Sequence, residues 1–361
     1  MPGRFAEPRV SRSQVDAAGA VLISGASVQS PERLAAEVVV NNWRSSHSYP
    51  LHVIRATLRS RAMAIHSPVI IAQRLKRLSS IEWKLALHEH MKLSQMQDIG
   101  GCRAIMTTVT HVDELIKNYN KSVQKNPHTA IRPQLIAVDD YITTPKKDGY
   151  RGYHLIYKYR TDSPKYACYN NLRIEIQVRS PLQHAWATAV ETISTFTGQA
   201  LKSNIGEQEW KRFFALMGSA IALREKRPLV RDTPTDKLAL ANELSHTVMQ
   251  LNVMAQLKAW GAALQNTGQP QHSNSAAYLL QLDPQAMTLE ITGYDADQMG
   301  LANDAYLTAE RKLESIPGGQ AVLVSTDTMD ALRKAYPNYF LDTTAFLEAV
   351  EAAIAPSKKR S

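Results

Sequence analysis

Two carboxylates and two runs of cations are the residues through which this chain could do chemistry. Asp98 stands just before Gly100-Gly101 and a strand-like stretch, Cys102 to Val109, that carries Arg103. A carboxylate is thereby placed at a strand edge where a ligand can approach the backbone closely. Glu175 lies in Leu172-Arg173-Ile174-Glu175-Ile176-Gln177-Val178-Arg179, which alternates apolar and polar without a break. Period two puts Leu172, Ile174, Ile176 and Val178 on one face and Arg173, Glu175, Gln177 and Arg179 on the other. Neighbouring strands that brought Asp98 and Glu175 together would make an oxygen-ligand site for Mg²⁺, able to activate a hydroxyl. Taken singly, each acid is more commonly a surface or capping residue, and the alternation alone describes a half-solvated sheet.

Among the cations, Lys76, Ser80 and Lys84 follow Arg74 at i, i+4 and i+8 spacing. On a helix these three share one face, which suits a polyphosphate, although a solvated basic face has the same pattern. Further on, Pro145-Lys146-Lys147-Asp148-Gly149-Tyr150-Arg151-Gly152-Tyr153-His154 joins a turn to cations, an aromatic ring and a histidine. Here Tyr150 can stack on a base while Lys146, Arg151 and His154 meet phosphates or ribose. Asp148-Gly149 is equally an ordinary hairpin turn signal.

The elements that must position these residues alternate. Pro31 to Ala64 reads as two helices broken near Ser48-Tyr49-Pro50, and Pro68 to Ala72 as a strand followed by a helical stretch through Leu87. The strand around Arg103 is followed by a helix, Val112 to Val123, and then by strands at Leu135 to Val138, Tyr153 to Tyr159 and Leu172 to Val178. Ser180-Pro181 opens a helix through Phe196, and Glu207 to Arg224 is a second long helical tract. Beyond Pro228 and Pro234 come a helix, Leu238 to Leu264, a polar loop, Asn266 to Ser275, and then strand, helix, strand, helix at 287–292, 301–316, 321–325 and 344–354. The last residues, Lys358-Lys359-Arg360, form a basic tail.

Composition narrows the class. A chain of 361 residues exceeds a single minimal binding module, and at 44% hydrophobic it has no apolar run that would span a bilayer. The N-terminus lacks a charged head followed by an apolar signal core, so a cytoplasmic protein without membrane contact is expected. Two cysteines, Cys102 and Cys168, are too few for a disulfide scaffold or a Cys-based zinc site. The net charge of +9 is uneven: from Pro234 on there are 9 basic and 14 acidic residues, or −5, and before it 33 and 19, or +14. The basic excess suits polyanionic partners and is equally a solubility device.

The blocks Arg74-Lys76-Ser80-Lys84, Asp98-Ile99-Gly100-Gly101-Cys102-Arg103, Asp140-Tyr141-Ile142, Pro145-Lys146, Gly149 to His154 and Glu175 to Arg179, in this order, resemble the RelA/SpoT alarmone synthetase domain over residues 40 to 225. The resemblance implies an α+β, nucleotidyltransferase-like fold, a mixed sheet flanked by helices, followed here by a small α/β domain. It implies transfer of the β,γ-pyrophosphate of ATP to the 3′-hydroxyl of GDP or GTP. It further implies that Asp98 holds Mg²⁺, that Glu175 activates the acceptor hydroxyl and touches metal, and that Arg74, Lys76, Ser80, Lys84 and Arg103 serve the donor ATP. Tyr150 would stack on the acceptor base with Lys146, His154 and Gln177 nearby, and Arg151, Arg179, His184 and Glu191 would support the site. Asp148, Gly152 and Cys102 depart from what the family commonly has at those positions. No His-Asp dipeptide occurs, so the metal-dependent hydrolase half of the long family members is not expected.

The chain is accordingly expected to divide into an arm (1–30), a synthetase domain (31–230), a helical linker (231–275) and a small α/β domain (276–361) that regulates it. Two other functions fit the same residues: a toxin-like family member that pyrophosphorylates the tRNA 3′ end, and a catalytically idle nucleotide sensor. A homo-oligomer is compatible with all three.

Overall fold

The stretch that alternates around Glu175 forms strand β5 (Arg173–Arg179), with Ile174, Ile176 and Val178 buried. It belongs to one sheet with β1 (Ile70–Leu75), β2 (Gly100–Ile105), β3 (Gln134–Asp140), β4 (Tyr153–Lys158), β6 (Gln265–Thr267), β7 (Ala277–Asp283), β8 (Thr288–Tyr294) and β9 (Gln320–Ser325). The nine strands run in the order β3-β4-β5-β2-β1-β9-β7-β8-β6. Pairs β2/β5 and β6/β8 are parallel and the rest antiparallel, so the sheet is mixed and the fold α+β, as expected. The computed structural model describes residues 5–122, 133–197, 208–267, 275–326 and 328–355; the basic tail and most of the polar loop expected at 266–275 lie outside them.

Helices cover both faces. On one, α3 (Ser48–Ile65), α5 (Val109–Ser122) and α10 (Met299–Glu314) enclose a core of Leu51, Leu58, Leu115, Ile174, Ile176, Leu279, Tyr306 and Leu323. On the other, α11 (Met329–Ala335) lies on β1, and α6 (Pro181–Thr197) and α7 (Gln208–Glu225) gather α8 (Lys237–Gln250), α9 (Val253–Ala263) and α12 (Thr344–Ile354) into a second core. A third core joins α1 (Arg12–Leu22), α2 (Pro31–Ser46) and α4 (Leu78–Leu87). The caps are where the residues call for them: Ser30 accepts from the Arg33 amide ahead of Pro31, and Ser180 Oγ accepts from the Gln183 amide at 3.2 Å ahead of Pro181. Among the described residues no helix is long and apolar enough to cross a membrane.

Several expectations change. Strand β1 runs on to Leu75, whose side chain is buried in the core, so Arg74 sits on a strand and Lys76 in the turn before α4. Lys76, Ser80 and Lys84 are therefore not one helical face. The helix expected over 238–264 is two, because Asn252 takes a left-handed backbone, φ 48°. Strand β7 and helix α11 have no counterpart in the sequence reading. The segment expected as a helical linker is packed: Leu240, Leu244, Val253 and Leu257 share a core with Phe213, Phe346 and Val350. Nor does the sheet break where a domain boundary was expected, since β1 pairs with β9, Arg74 opposite Val324.

A buried ionic seam reinforces this junction. Arg44, 1% exposed, reaches both oxygens of Glu310 on α10 at 2.9 and 2.7 Å, and Glu310 also accepts from the Leu78 amide at 2.7 Å. Glu37, equally buried, is shared by Arg33 at 3.0 Å and Arg311 at 2.7 Å.

The loop before β4 is held by a close backbone approach. Gly149 has φ 99°, and a Cβ added at Gly218 on α7 would come within 2.7 Å of the Gly149 backbone. Gly218→Ala is expected to push the loop off α7 and lower stability by about 1–3 kcal/mol, measured as a shift in the denaturant midpoint.

Candidate active site

Strand pairing sets the site in two rows across the sheet. Arg74, Gly101, Glu175 and Ile156 lie opposite one another, and Ala72, Arg103, Gln177 and His154 form the next row. Because period two sends these side chains to the face away from α3 and α5, all of them except Ala72, which is buried against Tyr278 and Leu280, stand together in a cavity of about 320 Å³. Gly101 keeps its floor open: a Cβ there would meet nothing within 4 Å, so any side chain would project between Arg74 and Glu175. Asp98 enters from the turn before β2, and the Lys76 amide donating to Ile99 carbonyl at 2.8 Å fixes that turn against the end of β1.

Asp98 holds two ammonium groups. Lys76 Nζ is 2.6 Å from Oδ2 and Lys84 Nζ 3.0 Å from Oδ1. Burial would raise the carboxyl's pKa, and the two lysines outweigh it, holding Asp98 well below the carboxylate range. Lys76 itself is pushed down, chiefly by burial.

Glu175 belongs to a closed circuit of hydrogen bonds. His154 Nδ1 meets its Oε1 at 2.9 Å and Gln177 Nε2 donates to its Oε2 at 2.7 Å. His154 Nε2 meets the Tyr150 hydroxyl, Arg179 Nη2 donates to that hydroxyl at 2.8 Å, and Arg179 also donates to Gln177 Oε1 at 3.0 Å. Burial disfavours the charged forms, yet the imidazolium of His154 pulls Glu175 down to about 2, and Tyr150 with Glu175 lifts His154 to about 9. The phenol of Tyr150 falls to about 8 because Arg179 and His154 outweigh its burial. Asp98 is close enough for its charge to oppose the ionisation of Glu175.

On one side of the carboxylates the cavity is aromatic: Lys146 Nζ lies 4.5 Å from the Tyr141 ring centre and 5.3 Å from that of Tyr150, and Trp186 meets Tyr150 edge-on. On the other side stand Arg74, Arg103 and Glu191, joined by Tyr336 from the C-terminal segment. Arg103 Nη1 donates to the Ala335 carbonyl at 3.0 Å, and its guanidinium is 5.8 Å from the centre of the Tyr336 ring. Burial would lower the pKa of Arg74, but Glu191 first, and then Tyr336 and Tyr339, raise it. Tyr336 is 4% exposed and burial pushes its hydroxyl up to about 12. Burial, then neighbouring Arg179, lowers Arg103 to about 10, and its Nε is buried with no hydrogen-bond partner.

Most of the expected residues thus converge: Asp98, Glu175, Arg74, Lys76, Lys84, Arg103, Lys146, Tyr150, His154, Gln177, Arg179 and Glu191 all line this cavity. Three do not. Ser80, one turn before Lys84 on α4, lies outside the cavity wall. Arg151 is 2% exposed and turned into the interior, donating to the carbonyls of Ile142, Gly218 and Pro228, so it anchors the loop to α7 and meets no phosphate. His184 donates Nε2 to the Lys334 carbonyl at 3.0 Å and, with burial driving its pKa well down, is neutral; it braces the C-terminal segment. Tyr336, Trp186, Asp139 and Tyr141 line the cavity without having been assigned a role from sequence. Tyr336-Pro337-Asn338-Tyr339-Phe340, an aromatic cluster with no helical or strand period, was the available signal for the first of them.

As a metal site, Asp98 and Glu175 supply hard oxygens of the kind Mg²⁺ takes. Among the described residues no group of three or more His, Cys, Asp or Glu is placed to hold an ion, so the remaining positions would fall to substrate phosphates and water.

Residues 73–197 match the family described as "Region found in RelA / SpoT proteins". The GTP pyrophosphokinase YjbM of Bacillus subtilis (strain 168) is 30% identical over 139 residues, which are 36% of this chain and 58% of that protein. The chain thus spans less than two thirds of that relative. Similar solved structures include a GTP pyrophosphokinase family protein from Streptococcus pneumoniae, 24% identical, covering 49% of this chain and 85% of that one with a TM-score of 0.40. Another is small alarmone synthetase 1 of Bacillus subtilis bound to its product pppGpp, 19% identical, covering 54% and 94% with a TM-score of 0.42.

The circuit gives stability a two-sided pH dependence. Glu175, ordinarily near 4.5 and lowered to about 2, stabilises the fold above 4.5 and loses that effect as pH falls through about 2. His154, ordinarily near 6.5 and raised to about 9, stabilises fully below 6.5 and loses its effect as pH rises through about 9. His154→Asn is therefore expected to cost about 3 kcal/mol between pH 4.5 and 6.5, with the gap to the parent closing toward both extremes. Denaturant unfolding across pH measures it.

Proposed function

We propose that this protein is an ATP-dependent pyrophosphokinase that transfers the β,γ-pyrophosphate of ATP to the 3′-hydroxyl of GDP or GTP, making (p)ppGpp. One observation carries the reading: on a single sheet face, two carboxylates stand between a cluster of four cations, Arg74, Lys76, Lys84 and Arg103, and an aromatic recess built on Tyr150 and Tyr141. The cations suit a donor triphosphate and its base, the recess suits an acceptor base, and Glu175 stands where the acceptor hydroxyl would meet the β-phosphorus. The bond from the acceptor oxygen to that phosphorus forms as its bond to the α-phosphate oxygen breaks, AMP leaves, and Glu175 takes the hydroxyl proton. Mg²⁺ held by Asp98, and touched by Glu175, would neutralise charge on the transferred group. His154, Gln177 and Arg179 keep Glu175 oriented and anionic at neutral pH. The named activity of the Bacillus subtilis relative supports the same reaction.

A second acceptor has its own support. Beside the cavity, and sharing Lys84 and Gln97 with it, an open groove is lined by His88, His90 and Arg173, and residues 1–233 carry the +14 excess. An RNA 3′ end could lie along such a groove. The test offers γ-labelled ATP with Mg²⁺ to the full chain together with GDP, GTP or tRNA. Label in a guanosine nucleotide is the expected result; label in tRNA alone would replace the acceptor in this proposal, and label in none would overturn it. Glu175→Gln should lower the rate about 10²- to 10⁴-fold in protein that is still folded at the assay temperature, although it breaks the same ion pair as His154→Asn and melts below the parent.

The C-terminal segment regulates this reaction in the same reading. In this reading a donor base would lie beside Arg74 and Arg103, against the cavity wall that Tyr336 forms, so that the ring and the base compete for the two guanidinium groups. Tyr336→Ala should raise kcat/KM for ATP about tenfold or more, since each tenfold corresponds to about 1.4 kcal/mol of closure. An unchanged or lower value would remove the regulatory role.

A further inference from the structure

We propose that Lys76 and Lys84 close Asp98 to divalent metal until a donor triphosphate draws their ammonium groups away, so that the ion enters with the nucleotide and not ahead of it. This rests on the reading of Asp98 as a metal ligand. Each oxygen of that carboxylate is already taken, Oδ2 by Lys76 Nζ at 2.6 Å and Oδ1 by Lys84 Nζ at 3.0 Å. The trio carries a net charge of +1, and the lysine side chains are 13% and 29% exposed, so solvent screens that charge only in part. A dication meeting the site in this state finds a positive cluster in which each oxygen of Asp98 already carries an ammonium. The second carboxylate is engaged as well, with one oxygen of Glu175 on His154 and the other on Gln177.

Both locks are made of groups that a polyphosphate attracts. An ammonium has three donors and is a mobile point charge on a flexible stem, so it can transfer from a single carboxylate to several phosphate oxygens. The two lysines arrive from different elements, Lys76 from the turn after β1 and Lys84 from the last turn of α4. A chain of phosphates spanning them would withdraw both, uncover Asp98, and bring oxygens that complete a coordination shell the protein supplies only in part.

The experiment measures retention of Mn²⁺ on the full chain by equilibrium dialysis, with and without inorganic tripolyphosphate, a probe that does not need the base slot beside Tyr336. Without tripolyphosphate the parent should hold Mn²⁺ no better than Asp98→Asn, whereas Lys76→Met/Lys84→Met should bind it about tenfold or more tighter, a gain abolished by adding Asp98→Asn. Lys84→Met alone, at the more exposed of the two positions, should give an intermediate gain and covers the case in which the double variant does not fold. With tripolyphosphate the parent should acquire retention that depends on Asp98. Asp98-dependent binding to the parent as tight as to the double variant, before tripolyphosphate is added, would overturn the proposal. So would tripolyphosphate failing to confer it on the parent while the lysine variants bind. Absence of Asp98-dependent binding in every variant, with or without tripolyphosphate, would instead remove Asp98 as a metal ligand.

Discussion

The structure is organised by a surplus of cations on one face of its sheet. Arg74, Lys76, Lys84, Arg103, Lys146 and Arg179 share a cavity wall with five carboxylates, Asp98, Asp139, Asp148, Glu175 and Glu191. Burying such groups without partners costs several kcal/mol per ion, so each must be answered locally. Asp98 answers two lysines, the hydroxyl of Tyr150 and the amide oxygen of Gln177 answer Arg179, and a backbone carbonyl and an aromatic ring answer Arg103. The last of these answers is the weakest. A neutral carbonyl and a ring face leave Arg103 with its Nε unpaired and its pKa lowered, chiefly by burial. A site that compensates its carboxylates fully and its arginines incompletely is complementary to an anion it does not itself contain.

The same surplus explains why the C-terminal segment belongs to the sheet. Strand β9 pairs with β1 at Arg74, α11 brings its last carbonyls to His184 and Arg103, and Tyr336 joins the cavity wall beside them. Farther out, the junction is again ionic, with Arg44, Arg33 and Arg311 meeting Glu310, Glu37 and Glu82 between the N-terminal helices and α10. Glu82, burdened by burial and by neighbouring acids, is lifted to about 7 even though Arg33 opposes the shift. The acidic bias of the chain after Pro234 thus has a structural expression in α10, whose Glu310 reaches Arg44 on a helix of the basic part.

What the sequence made legible was local. The alternation around Glu175 became β5, shifted by one residue at each end, and the glycines before Arg103 opened β2, because side-chain period and backbone freedom are written in adjacent residues. Convergence of Asp98 with Glu175 was expected only through resemblance; the register that delivers it, Gly101 opposite Glu175, comes from strand pairing across more than 70 positions. Tertiary pairing also misled the helical reading of Lys76, Ser80 and Lys84. Leu75 is drawn into the core as part of β1, which delays the helix to Leu78 and leaves only the two lysines pointing to Asp98. Arg151 resembled a phosphate ligand because its neighbours are polar, yet three carbonyls from separate segments make it an internal anchor. No local pattern announces such a cage.

The domain division failed to show for a related reason. Proline pairs and a change in charge sign mark where a chain can turn, and at Pro228 and Pro234 it does turn, but neither signal says whether the C-terminal segment packs elsewhere or returns. Here it returns: Leu279 and Leu323 enter the same core as Ile174 and Leu115, and Leu244 and Val253 enter the same core as Trp186 and Phe213. A segment tied in by two apolar cores and an ionic seam cannot swing as a rigid lobe without exposing large apolar areas. Tyr336, by contrast, comes after α11, a helix of only seven residues, and the turn beyond it holds itself with bonds from the Tyr339 amide to the Tyr336 carbonyl and from the Asp342 amide to the Pro337 carbonyl. Movement of Tyr336 would therefore carry this short element with its buried Leu332, Ala335 and Tyr339, and would leave β9 and α10 in place.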